Sequence, residues 1–119
     1  MTTLYPHALF TYGTLQREEV QQHLFGRTLS GQAAQLQGFT LGYIEQHDDA
    51  SRLTGLSRFL MLEPNPASTQ TIAGMVYQLT QSDLQQADLY EGPQYQRIEV
   101  PLTSGQRAWV YVTAHTSPA

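Results

Sequence analysis

Glu91 stands in the stretch Ala87-Asp88-Leu89-Tyr90-Glu91-Gly92, at a position where a glutamate has no structural reason to be. Leu84, Ala87 and Glu91 fall at i, i+3 and i+7 and so share one face of a helix over 81–91. The apolar part of that face must turn to the core, which points Glu91 inward at the helix end, with Asp88 beside the stripe. Burying an unpaired carboxylate is costly, and a negative charge in the last turn opposes the helix macrodipole. Both effects favour the protonated form, as suits a general acid or base working near neutrality. The alternative is a frayed last turn that leaves Glu91 solvated, and periodicity alone leaves both readings open.

A second group lies far upstream, in Tyr12-Gly13-Thr14-Leu15. Between a strand and a helix, the unpaired backbone N–H groups of such a turn can hold an anion or a polarised carbonyl. Gly13 lets the main chain approach a ligand closely. The segment is not a P-loop, because the glycine spacing differs and no Lys-Ser/Thr pair follows. An ordinary tight turn is the plainer alternative. After the glutamate, Tyr95 and Arg97 share one face of an alternating strand, and Ile98 and Val100 share the other. Tyr95 and Arg97 either line a polar cleft beside Glu91 or form an exposed tyrosine and a surface ion pair.

The surrounding elements must bring these groups together. Residues 8–12 read as a short buried strand, and 15–25 as a helix with Val20 and Leu24 at i, i+4, Thr14 as its N-cap and Gly26 as its end. Glycines at 31, 38 and 42 punctuate two strands or one bent strand over 29–46. A polar loop at 47–52 leads to a strand over 53–62, and Pro64-Asn65-Pro66 opens a surface loop over 63–71. Ile72 to Leu79 is rich in β-formers. Thr80 with Asp83 resembles a capping box for the helix over 81–91, which Gly92-Pro93 terminates. Strands over 95–102 and 107–114 form a hairpin, and Trp109 to Val112 is apolar on both faces, the pattern of a central strand. Two helices among about six strands argue for an α+β fold with a mixed, strongly curved sheet.

Composition bounds what this chemistry can be. At 119 residues one domain is expected, burying roughly two thirds of the unfolded chain's surface. With a net charge of −4 and no Lys/Arg cluster, neither nucleic acid nor an anionic membrane is an expected partner. The absence of cysteine excludes disulfides and thiolate chemistry. No apolar run approaches the ~20 residues of a membrane span. No basic segment followed by an apolar run opens the chain, so a cytoplasmic location is expected.

Taken together, the two segments resemble the hallmarks of the γ-glutamylcyclotransferase-like (AIG2-like) family. Strand-Tyr12-Gly13-Thr14-Leu15 comes first. Ile72-Ala73-Gly74-Met75-Val76-Tyr77 resembles that family's G-x-x-Y strand, and Asp88-Leu89-Tyr90-Glu91-Gly92 its acidic segment. Tyr95-x-Arg97 and Trp109-Val110-Tyr111-Val112 follow in the family's order, so the resemblance spans about residues 8–113. The chain departs from the pattern at Ala87, where leucine is usual, and at Gly42-Tyr43-Ile44-Glu45, where many members carry a Tyr-Pro element.

The resemblance implies a small mixed β-barrel with flanking helices. It implies an enzyme that releases 5-oxoproline from a small γ-glutamyl amine or amino acid, with Glu91 as the catalytic acid/base. Tyr12, Gly13, Thr14 and Leu15 would hold the γ-glutamyl group, and no metal or organic cofactor is required. The alternative is a binding module that keeps the pocket and recognises a small acidic metabolite or a peptide end without turnover. Other constellations lead elsewhere. His7, His23, His47 and His115 lack ligand spacing, His47-Asp48-Asp49 reads as a solvated loop, and no Gly-x-Ser-x-Gly elbow exists. Arg52 and Arg58 are cations that could meet a substrate carboxylate. The oligomeric state is left open.

Overall fold

A computed structural model describes residues 5–45, 58–93 and 95–113. Within them the elements are β1 (His7–Thr11), a single 3-10 turn (Thr14–Gln16), α1 (Glu18–Phe25), β2 (Gly31–Leu36), β3 (Phe39–Glu45), β4 (Arg58–Pro64), β5 (Ile72–Leu79), α2 (Gln81–Glu91), β6 (Tyr95–Pro101) and β7 (Arg107–Thr113). Five strands form one sheet in the order β2-β5-β1-β7-β6, and β3 pairs with β4 as a separate hairpin. The sheet is mixed, because β1 runs antiparallel to β5 and parallel to β7.

Both faces of this sheet are apolar, and each acquires its own cover. Leu9, Tyr77, Leu79 and Tyr111 pack with Val20 of α1 and with Leu84 and Ala87 of α2. Phe10, Val76, Val110 and Val112 pack on the other side with Phe39 and Leu62 of the β3–β4 hairpin. This corrects the expected closed barrel. A barrel strand alternates between a filled interior and an outer face, whereas β1 and β7 are buried on both sides. The result is an open sheet ending at β2 and β6, with helices on one face and a hairpin on the other. The α+β class and the central position of β7 are as the sequence implies.

Other expectations shift. The helix over 15–25 splits into the 3-10 turn and α1, because Arg17 is extended (φ −80°, ψ 136°). The buried Gln21 side chain accommodates the break: its amide N–H donates to the Leu15 carbonyl (2.9 Å) and its oxygen accepts from the Leu29 N–H (2.9 Å). Residues 29–46 hold two strands, turning at Gly38 with φ 88°. Of the strand expected over 53–62, residues 58–62 belong to β4, which runs on through Pro64; residues 53–57 and the 47–52 loop lie outside the described residues.

One glycine decides how closely β1 and β5 approach. A β-carbon at Gly74 would lie 2.2 Å from the Thr11 carbonyl oxygen and 2.6 Å from the Phe10 ring. Only glycine admits β1 here.

The start of α2 is fixed by the expected capping box. The Thr80 hydroxyl accepts from the Asp83 N–H (3.0 Å), and the Asp83 carboxylate accepts from the Thr80 N–H (2.9 Å). Arg27, just after α1, donates both arms of its fork to the same carboxylate (3.2 and 2.7 Å). Burial pushes the Asp83 carboxyl upward, but the bonds from Arg27 and Thr80 outweigh it and hold the group below the usual carboxylate range. Because the folded value is the depressed one, this stabilisation is fully present above about pH 4 and is lost as pH falls through the folded value.

Two outcomes follow for equilibrium unfolding. Gly74→Ala, facing backbone that cannot yield, destabilises the fold by about 3 kcal/mol or more in urea titrations. Asp83→Asn lowers stability at neutral pH and flattens its decline below about pH 4.

Candidate functional site

Because β1 and β7 are parallel, both deliver their carboxyl ends to one side of the sheet, where α2 also ends. Two hydrogen bonds tie the turn after β1 into this corner. The Tyr12 phenol donates to the Tyr111 carbonyl of β7 (2.5 Å). The Thr14 hydroxyl and the Tyr90 hydroxyl of α2 lie 2.6 Å apart. The expected N-cap role of Thr14 is thus replaced by a tie between the turn and the helix end.

The buried stripe of α2 is Asp83, Leu84, Ala87 and Tyr90, and Glu91 sits half-buried on its flank. The position of its charge is felt by two phenols. Tyr12 is pushed well above the usual tyrosine range, first by burial and then by the negative charge of Glu91 and by Tyr95. Tyr111 is pushed up likewise, by burial, by its bond to Asp88 and by the charges of Asp88 and Glu91. Glu91 therefore shares a local electrostatic environment with the first residue of the 12–15 turn. Tyr95 is buried in the core cluster of Tyr90 and Tyr111, and it too acts electrostatically on Tyr12.

The turn itself divides its labour. The Leu15 side chain is core, so only its main chain is available to a ligand. The Gln16 N–H bonds to the Gly13 carbonyl (3.2 Å) and the Arg17 N–H to the Thr14 carbonyl (3.0 Å). The amides that open such a turn have no partner within it. A β-carbon added at Gly13 would meet no atom within 4 Å, so the backbone is approachable there. At its base the turn is braced by Gln16, whose amide donates to the Thr11 carbonyl (2.8 Å).

Arg97 is engaged differently from a cleft-lining cation. It grips Asp88 through Nε (2.8 Å) and Nη2 (3.0 Å), and its guanidinium lies 4.3 Å from the Trp109 ring centroid. Tyr111 donates its hydroxyl to the same Asp88 oxygen that Nε reaches (2.7 Å). Burial alone would raise the Asp88 carboxyl, but these bonds hold it below its usual range.

A groove of about 430 Å³ lies elsewhere, over β2 and β5 beside the 103–106 turn. Its polar side chains are Gln32, Gln35, Thr103, Ser104 and Gln106. Among the described residues no titratable side chain lines it. Among the described residues no three His, Asp or Glu side chains gather as a metal cluster, and no helix is long and apolar enough to cross a membrane.

The model of the family described as gamma-glutamyl cyclotransferase, AIG2-like matches residues 9–119. This chain belongs to that family. No curated protein matches it. A solved structure from Arabidopsis thaliana is 21% identical with a TM-score of 0.67, over 98% of this chain and 74% of that one. A gamma-glutamyl cyclotransferase structure superposes with a TM-score of 0.70 at 18% identity, over 92% of this chain and 67% of that one. An uncharacterized protein from Homo sapiens gives 0.70 at 19% identity, over the same shares. At these identities the structures speak for the fold.

Within this cyclotransferase-family chain, sequence reasoning located the two segments but missed their connectors. Tyr90 and Tyr111 went unremarked as polar groups, although a tyrosine on a buried stripe or central strand needs a partner for its hydroxyl. That rule was the available signal. Arg52 lies outside the described residues, and so does the side chain of Arg58.

The raised phenols have a direct optical signature. In a spectrophotometric titration of the folded protein, Tyr12→Phe and Tyr111→Phe leave the tyrosinate absorbance gained below about pH 11 unchanged, because neither phenol ionises there. A loss of one tyrosine's amplitude in either variant contradicts the burial described.

Proposed function

We propose that this chain is a cofactor-free γ-glutamylcyclotransferase that releases 5-oxoproline from a γ-glutamyl amine or amino acid. The observation that supports the reading is the tie between Thr14 of the approachable 12–15 turn and Tyr90, which sets the adjacent, half-buried Glu91 near enough for its charge to act on Tyr12.

The substrate's α-nitrogen attacks its own γ-carbonyl carbon, forming the ring C–N bond. The bond to the partner amine then breaks. Glu91 takes the proton that the α-nitrogen must shed and passes it to the departing amine, a role typically worth ~10²–10⁴ in rate. The γ-carbonyl oxygen gains negative charge as the ring closes. Amides of the Gly13-Thr14-Leu15 turn are suited to receive it, and the Tyr12 phenol, whose proton is given to the Tyr111 carbonyl, holds the turn in place. Tyr95 walls the site. Because the reaction is intramolecular, holding a near-attack geometry supplies much of the remaining acceleration.

The charge inventory of the described side chains favours recognition by neutral donors, with Arg52 and the Arg58 side chain lying outside them. The chain contains no lysine. Arg17, Arg27, Arg97 and Arg107 each pair with a carboxylate. Among the described side chains, N–H and hydroxyl donors are therefore left to meet the γ-glutamyl group. A binding module without turnover is the second reading, and the intact carboxylate at position 91 favours the enzyme.

A screen of γ-glutamyl amino acids and amines for 5-oxoproline release tests this. Turnover is expected with at least one substrate, and Glu91→Gln lowers kcat by about 10²–10⁴. Gly13→Ala keeps the wild-type melting curve, since its β-carbon enters open space, yet weakens kcat/KM at least about tenfold by filling the approach to the turn. Saturable binding without 5-oxoproline release selects the binding module instead.

A further inference from the structure

We propose that Asp88 is a positioning residue: with Arg97 and Tyr111 it locks the last turn of α2 onto the β6–β7 hairpin and so holds Glu91 beside Tyr12. The inference rests on the acid/base reading of Glu91.

The last turn of α2 is anchored at Tyr90, which is buried and meets Thr14, but its charges are unfavourably placed. It contains no basic residue, and both of its charged side chains, Asp88 and Glu91, carry the sign that opposes the helix dipole. Leu89 on its outer side is 75% exposed and packs little. Beyond the helix's own ladder, the backbone closes with a bond from the Gly92 N–H to the Asp88 carbonyl (3.1 Å). The cation that the turn lacks comes from β6. Arg97 reaches both oxygens of Asp88, a geometry that restricts rotation as well as distance. The Trp109 ring supports the guanidinium from the neighbouring strand.

Tyr111 carries the restraint to the turn after β1. Its hydroxyl binds Asp88, and its main-chain carbonyl accepts from Tyr12. Tyr111 thus joins the helix end, β7 and the 12–15 turn, alongside the direct Thr14–Tyr90 tie. Asp88 is suited to holding rather than to proton transfer. One oxygen accepts from Arg97 Nε and Tyr111, and the other from Arg97 Nη2, so the carboxylate stays an ionised acceptor.

The test combines amide hydrogen exchange with kinetics on Asp88→Asn and on Tyr111→Phe, the latter removing a single bond and sparing the ion pair. Expected is exchange about tenfold faster or more at Tyr90, Glu91 and Gly92, with Leu84 to Ala87 unchanged. With the best substrate from the screen, kcat falls about 10- to 100-fold while KM stays within about threefold. Asp88→Asn added to Glu91→Gln causes no further loss, because Asp88 acts through Glu91. Unchanged exchange at 90–92, wild-type kcat in both single variants, or multiplicative losses in the double variant overturn the proposal. Failure of the acid/base reading looks different: Glu91→Gln turns over like wild type, or wild type turns over nothing. In either case unchanged exchange at 90–92 still rejects the lock.

Discussion

The placement of β1 between β5 and β7 is the constraint on which the rest of the molecule depends. A strand buried on both faces must find partners on both edges, since its main-chain groups have no water to turn to. Gly74 opens the space on one side by lacking a side chain where the Thr11 carbonyl and Phe10 ring arrive. On the other side the parallel partner β7 sets the direction of travel. The Tyr12–Leu15 turn is consequently delivered to the corner where α2 ends. Had β7 run antiparallel to β1, its carboxyl end would lie at the opposite edge of the sheet, away from the turn.

Two acidic side chains three residues apart on α2 come to different uses because different strands face them. Asp88 meets a guanidinium and a phenol that fill its acceptor sites. Glu91, one turn on, sits half-buried where its charge acts on the phenols of Tyr12 and Tyr111. The same chemical group is a structural acceptor in one setting and a candidate proton carrier in the next, a contrast that local environment alone can produce.

Much of this was legible in the sequence. The capping box of α2, its stop at Gly92-Pro93, the central position of β7 and the two site segments are local or periodic signals that need no tertiary knowledge. The closed barrel was the main misreading. Its correction lay in the same observation that Trp109 to Val112 is apolar on both faces, because a doubly buried strand needs two covers. The break between the 3-10 turn and α1 was hidden, since it rests on Gln21 reaching across to Leu15 and Leu29. The engagement of Arg97 was hidden too. Strand alternation gives the face on which a side chain lies, not which of two nearby carboxylates will capture it.

The long reach of β1's contacts has a bearing on how the chain is made. Thr11 donates its hydroxyl to a carbonyl 64 residues ahead, and Tyr12 to one 99 residues ahead. During synthesis, at ~5–20 residues per second, Leu9 and Phe10 leave the ribosome with no sheet to join, while the local β3–β4 hairpin has its partners close in sequence. Contacts of such separation form late and slowly. The Glu91 corner is therefore assembled only when β7 arrives, and a nascent chain lacking β7 is an apolar strand still waiting for its neighbour.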